Sequence, residues 1–145
     1  DINQALARWC ADHPDRSRLF DNLGSLVYQG CLRHLDLMLG NSSSGLVEAP
    51  SFGLPVVNIG SRQEGRLAAG NVISVDNRVD EIRRGIDLAL SPEFRAQLIH
   101  LQNPYDRYGD GWTSRRIKET LKVIPLDTGV TKKGFIDAVM AAGNE

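Results

Sequence analysis

The sequence predicts an α/β fold: a Rossmann-like parallel sheet with helices on both faces. Three observations carry this. Short apolar-rich runs, Leu35–Leu39, Pro55–Ile59 and Val72–Val75, read as buried strands. Segments with apolar residues at helical spacing lie between and after them, and strands alternating with helices imply a parallel sheet covered on both sides. Glycine makes up 14 of the 145 residues, and several glycines sit where an apolar run ends.

Each element has its own signal. Ile2, Leu6, Trp9 and Cys10 recur at helical spacing and stop before His13-Pro14, which predicts an amphipathic helix over residues 3–13. Arg18-Leu19-Phe20 reads as a short strand closed by Asp21-Asn22 and Gly24. Ser25 is placed to cap a second helix carrying Leu26, Val27, Leu32 and Leu35. The Leu35–Leu39 strand ends at Gly40, a polar run Asn41–Gly45 follows, and Leu46, Val47, Ala49 and Phe52 predict a short helix stopped by Gly53. After the two further strands, Val79, Ile82, Ile86 and Leu90 define a helix. Pro92 opens the next, up to about His100. A turn-rich loop from Asn103 to Gly111 leads to a helix over Ser114–Val123. Residues 1–124 read as one nucleotide-binding domain and 125–145 as a tail, with a short helix around Phe135–Ala142.

Composition narrows the function. The chain is 41% hydrophobic and 24% charged, which excludes a disordered tail or a fibrous repeat. Seventeen Lys and Arg against eighteen Asp and Glu give a net charge of −1, so no basic field attracts nucleic acid or anionic lipid. The longest apolar stretch falls far short of the roughly 20 residues that span a bilayer. Two cysteines, Cys10 and Cys31, inside helical patterns suit a reduced compartment, and the expected location is the cytoplasm. The chain opens Asp1-Ile2-Asn3 with neither Met nor signal peptide, which reads as part of something longer.

One segment carries chemistry. Leu35–Phe52 lays out strand, Gly, three serines, Gly, helix, and ligands of open parallel sheets sit beyond the strand carboxyl ends. Free amides at a helix start and the positive end of its dipole favour an anion, serine hydroxyls add donors, and Gly45 would let a ligand approach the backbone. Past the next strand come Asn58, Ser61, Arg62, Gln63 and Arg66, and two arginines in a loop are suited to clamping phosphate. The same residues also fit a plainer arrangement: a serine-capped turn, Glu48 as a first-turn carboxylate, and a solvated arginine loop.

Competing motifs are weaker. Neither a P-loop lysine nor a G-x-G-x-x-G fingerprint is present. Gly40-Asn41-Ser42-Ser43-Ser44 nearly fits a nucleophile elbow, but Ser44 stands where a glycine is needed. The only later histidine is His100, while His13 and His34 precede the serines. No Cys, His or Asp cluster has metal-ligand spacing, and no cofactor is expected.

The run from Gly40 to Gln63, GNSSSGLVEAPSFGLPVVNIGSRQ, followed by Gly65-Arg66, resembles the hydrolysing UDP-N-acetylglucosamine 2-epimerases. The similarity extends to Asp36–Leu39, to Asn71-Val72-Ile73 and to the Asn103-Pro104-Tyr105…Gly109-Asp110-Gly111 loop. There the family's usual Asn-Pro-Tyr-Gly-Asp-Gly is interrupted by Asp106-Arg107-Tyr108. Ser-Ser-Ser-Gly and Arg-Gln-x-Gly-Arg resemble the hydrolysing branch. The non-hydrolysing branch carries Asp-Ser-Gly-Gly and Thr-Glu-Arg-Pro-Glu at those places.

The resemblance implies the C-terminal, UDP-binding part of a two-domain GT-B enzyme. Asn41, Ser42, Ser43, Ser44 and Gly45 would hold UDP, with Ser42 and Ser43 on its phosphates. Glu48 would accept from the ribose hydroxyls, Leu23 and Gly24 would receive the uracil, and Arg62 would stabilise the leaving diphosphate. The family's reaction eliminates UDP from a UDP-2-acetamido sugar and adds water to give the free 2-epimer. By this comparison the proton-moving carboxylates lie outside this chain, which alone would be inactive. A nucleotide-diphosphate-binding module, a non-hydrolysing epimerase and another GT-B glycosyltransferase are the alternative readings. In the doubly wound order 3-2-1-4-5-6, the strands found here would be numbers three to six. The sheet would then have a gap beside Arg18–Phe20, and the expected outcome is pairing with another copy, distortion or poor stability.

Overall fold

The computed structural model describes residues 1–125. Within them the chain forms two compact units, Asp1–Arg107 and a second that begins at Tyr108. The first holds a three-stranded parallel sheet, β1 (Met38–Gly40), β2 (Val56–Ile59) and β3 (Val72–Val75), in the order β1-β2-β3. The register pairs Met38 with Val56 and Gly40 with Asn58, then Val56 with Val72 and Ile59 with Val75. The helices are α1 (Ile2–Asp12), α2 (Gly24–His34), α3 (Ser44–Val47), α4 (Val79–Leu90) and α5 (Pro92–Gln97); a 3-10 turn spans Ala49–Phe52.

Both faces of the sheet are covered. On one, Leu32 of α2, Ala49, Leu54 and Val56 form a buried cluster, with Tyr28, Met38, Phe52 and Val72 packed against it. On the other, α4 lies so close that a Cβ on Gly85 would stand 2.9 Å from Val75 and 3.1 Å from Val57. Glycine there lets the α4 backbone approach the strands. Gly45 does the same for α3, where a Cβ would be 2.8 Å from Val56. Asn71, fully buried, donates to the Leu54 carbonyl at 2.9 Å and closes the entry to β3. Ser91 caps α5 by accepting from the Phe94 amide at 3.2 Å, and Arg95 reaches Asp36 at 2.7 Å ahead of β1.

Several expectations are corrected. Arg18–Phe20 is not a strand: no neighbouring chain offers it a ladder, and a strand needs one to satisfy its amides and carbonyls. β1 starts at Met38 instead of Leu35, because pairing begins where the Met38 amide meets the Pro55 carbonyl at 2.9 Å. Ser25 does not cap α2. The helix starts at Gly24, whose amide donates to Asn22 Oδ1 at 2.7 Å. The helix expected over Leu46–Phe52 breaks into α3 and the 3-10 turn, since Pro50 lacks the amide an α-helix would use. α5 stops at Gln97, short of His100. Cys10 and Cys31 are both free thiols.

In the second unit, α6 (Thr113–Val123) opens beside Asp110, which pairs with Arg116. The hydrogen bond from Arg116, with that from the Trp112 amide, holds the Asp110 carboxyl down at about 2. The tail helix expected around Phe135–Ala142 lies outside the described residues. No helix among the described residues is long and apolar enough to cross a membrane.

Candidate functional site

The serine turn leaves β1 at Gly40. The Ser42 hydroxyl accepts from the Ser44 amide at 3.3 Å, and the Ser43 carbonyl accepts from Leu46 and Val47, both at 3.0 Å. Asn41, Ser42 and Ser43 are exposed, and among the described residues no acceptor meets the amides of Ser42 and Ser43. Two open amides and two exposed hydroxyls thus lie on one short turn, a donor set suited to an oxyanion. α3 is a single turn, so its dipole is small and the local amides supply the attraction that a long helix was expected to provide.

Ser44 and Gly45 serve the fold. The Ser44 hydroxyl lies 2.6 Å from the Tyr28 hydroxyl, which ties the turn to α2. Gly45 is buried, and the side where its Cβ would stand is filled by Val56, so sheet packing requires its smallness. Glu48 is not in a helix's first turn. It lies where α3 passes into the 3-10 turn, half-buried in a pocket of about 320 Å³ shared with Gln29, Ser51, Asn103 and Tyr105. The Asn103 amide donates to the Val47 carbonyl at 2.8 Å and to the Ser51 hydroxyl at 2.6 Å, pinning the Asn-Pro-Tyr loop beside Glu48. Tyr105 donates to the Leu67 carbonyl at 2.9 Å.

Arg62 and Arg66 stand on the loop after β2. Both are exposed, and neither guanidinium has a hydrogen-bond or ion-pair partner among the described residues. Gln63 between them is buried and donates to the Asn41 carbonyl at 2.7 Å, joining the arginine loop to the serine turn. Its Oε1 and the Oδ1 of Asn58 are buried acceptors without a partner among the described residues. Both residues line a cavity of about 490 Å³ at the carboxyl ends of β2 and β3. An orphaned buried acceptor costs about 1–3 kcal/mol. Leu23 and Gly24 line a separate cavity of about 400 Å³ with Phe20, Asn22 and Tyr28.

The predicted site residues therefore fall into linked groups. Tyr28 joins the Leu23–Gly24 cavity to the serine turn, Gln63 joins Arg62 to it, and Asn103 braces the segment bearing Glu48. Tyr28 and Asn103 were missing from the sequence-based site. Tyr28 could have been found as a tyrosine on the core-facing stripe of α2, where a buried hydroxyl needs a partner. No histidine ring among the described residues bonds to Ser42, Ser43 or Ser44. Nor does any group of three His, Cys, Asp or Glu there suit a metal ion.

A parallel sheet whose strand ends carry an amide-rich turn and an arginine loop defines a Rossmann-like α/β protein. Residues 1–122 match the family described as UDP-N-acetylglucosamine 2-epimerase, and the chain belongs to that family. It is 44% identical over 84% of its length to UDP-N,N'-diacetylbacillosamine 2-epimerase (hydrolyzing) of Legionella pneumophila, covering 30% of that protein. It is 39% identical over 94% of its length to GDP/UDP-N,N'-diacetylbacillosamine 2-epimerase (hydrolyzing) of Campylobacter jejuni, covering 34% of it. Polysialic acid biosynthesis protein P7 of Escherichia coli is 32% identical over 72% of this chain and 26% of its own. The chain thus spans about a third of the length of these curated relatives.

Proposed function

We propose that this chain is the UDP-binding, C-terminal portion of a hydrolysing 2-epimerase acting on a UDP-2-acetamido sugar, within a two-domain GT-B enzyme. The observation that carries the reading is the exposed Ser42–Ser43 turn joined through Gln63 to the arginine loop, the turn's two amides and the two guanidinium groups having no partner among the described residues. In this reading residues 1–124 are the nucleotide-binding portion. Ser42 and Ser43 bind the phosphates, Asn41 shapes the turn, and Arg62 meets the diphosphate. Ser44 and Gly45 hold the turn in place from behind. Glu48 accepts from the ribose, and Leu23 and Gly24 receive the uracil.

The chemistry this part supplies is electrostatic. Elimination breaks the bond between C1 of the sugar and the UDP oxygen while a proton leaves C2. Negative charge accumulates on the departing diphosphate, and a fixed guanidinium and amides stabilise it more in the transition state than in the bound substrate. Water then adds across C1 and C2 to give the 2-epimer. The carboxylates that move those protons are assigned to a part of the enzyme outside this chain, so the chain alone would be inactive. Two relatives named for N,N'-diacetylbacillosamine support a 2,4-diacetamido sugar over N-acetylglucosamine. The test is product analysis of the intact protein with each UDP-sugar. Free UDP together with a free 2-epimerised sugar is expected; a 2-epimer still attached to UDP would refute the hydrolysing assignment.

A further inference from the structure

We propose that Gln63 is a positioning residue that sets Arg62 against the serine turn, so that phosphate binding by the two segments is coupled through one side chain. This rests on the UDP reading above and adds a residue to it. The geometry is specific. Gln63 is only 6% exposed although it lies on a loop whose neighbours Ser61, Arg62 and Glu64 are all exposed. Its Nε2 reaches across 22 positions of sequence to the Asn41 carbonyl at 2.7 Å. Among the described residues this is the one hydrogen bond between the arginine loop and the turn that carries Ser42 and Ser43.

The loop's own bonds cannot do this work. Glu64 to Ser61 at 2.9 Å and Arg66 to Gln63 at 3.2 Å shape the loop internally and fix nothing about its distance from β1. Among the described residues Arg62 has no side-chain partner to hold it. A mobile guanidinium loses side-chain entropy on meeting a phosphate, and a loop already anchored at the adjacent residue loses less. Gln63 and Asn41 lie immediately next to Arg62 and Ser42, so the bond fixes the spacing of the two phosphate-facing groups. Tyr28 provides the natural contrast: its bond to Ser44 braces the same turn from α2 but leaves the arginine loop untouched.

The experiment is a double-mutant cycle on UDP affinity in the intact protein, using Gln63→Met and Arg62→Ala, with Tyr28→Phe as control. Gln63→Met keeps the length of the side chain and removes its donor. It is expected to weaken UDP at least fivefold beside native Arg62 and less than twofold in the Arg62→Ala background. Tyr28→Phe is expected to act additively with Arg62→Ala. Additive behaviour of Gln63→Met, or a loss below twofold beside native Arg62, overturns the positioning role while leaving the UDP site standing. Unchanged UDP affinity in Arg62→Ala itself overturns the site reading instead. Should Gln63→Met fail to fold, Gln63→Glu gives a second readout. Its ionised carboxylate repels the Asn41 carbonyl, and its protonated form can donate to it. UDP affinity relative to the native protein is then expected to recover as pH falls from about 8 to 5. A flat ratio contradicts the proposal.

Discussion

The first 35 residues and the stretch from Asp36 to Asn103 are built from equally good patterns, yet the second supplies nearly all of the packed core. α1 has the helical spacing of a core-facing element, but none of its residues is buried, and Ile2, Leu6 and Trp9 are left open to solvent. α2 buries a single residue, Leu32, while Leu26 is 85% exposed. From β1 to the end of α5 and the residue after it, by contrast, Leu54, Val56, Val57, Ala89 and Leu98 are all buried. Amphipathic spacing says which face a helix can bury; whether a partner surface exists is decided elsewhere in the chain. Here the sheet ends at β1, whose outer edge no strand among the described residues covers, and Arg18–Phe20 stays unpaired. Exposed Leu19, Phe20, Leu35 and Leu39 are the apolar residues such a covering element would bury.

The largest consequence concerns association. The 145-residue chain by itself is expected to self-associate or to unfold without cooperativity, because an open strand edge and unburied apolar faces recruit partners. Size-exclusion chromatography with light scattering checks this, and a monodisperse monomer with a sharp melting transition would show that the exposed edge and apolar faces are satisfied within one chain. Next come two leucines of one helix. Leu32→Ala is expected to cost about 2–5 kcal/mol and Leu26→Ala under about 0.5 kcal/mol, measured by denaturant unfolding. Equal losses would mean that the outer face of α2 is buried in solution.

Two glycines sharpen the contrast at smaller scale. Gly30 in α2 has open space around it, so Gly30→Ala is expected to stabilise by about 0.5–1 kcal/mol through helix propensity. Gly85→Ala gains the same propensity but drives a methyl into Val75 and Val57, whose strain of about 1–3 kcal/mol leaves a net loss near 1 kcal/mol. Opposite signs in thermal melts support the account; a stabilising Gly85→Ala would show that α4 stands further from the sheet.

What the sequence disclosed divides along the same line. β3 matches its expected span and β2 differs by one residue: β2 is buried almost throughout and β3 is partly buried, and both write short β-branched apolar runs bounded by glycines and polar turns. α4 is equally plain, with Val79, Ile82, Ile86 and Leu90 three or four residues apart. Ser42, Ser43 and Arg62, the residues proposed to meet phosphate, stand out in the sequence because hydroxyls and guanidinium groups announce their chemistry. Their supports do not: the bonds from Gln63 to Asn41, Tyr28 to Ser44 and Asn103 to Val47 join positions 16 to 56 residues apart. Glu48 was misplaced for a local reason, since the break at Pro50 ended α3 after four residues.

A UDP site on the serine turn and the arginine loop, as proposed, requires both segments to contribute to UDP affinity. Calorimetric titration of UDP into the intact protein and its Ser43→Ala and Arg62→Ala variants tests it most directly. At least a fivefold loss of affinity is expected in each, with the larger loss for Arg62→Ala, whose guanidinium meets a charged group. Unchanged affinity in both variants would contradict the account.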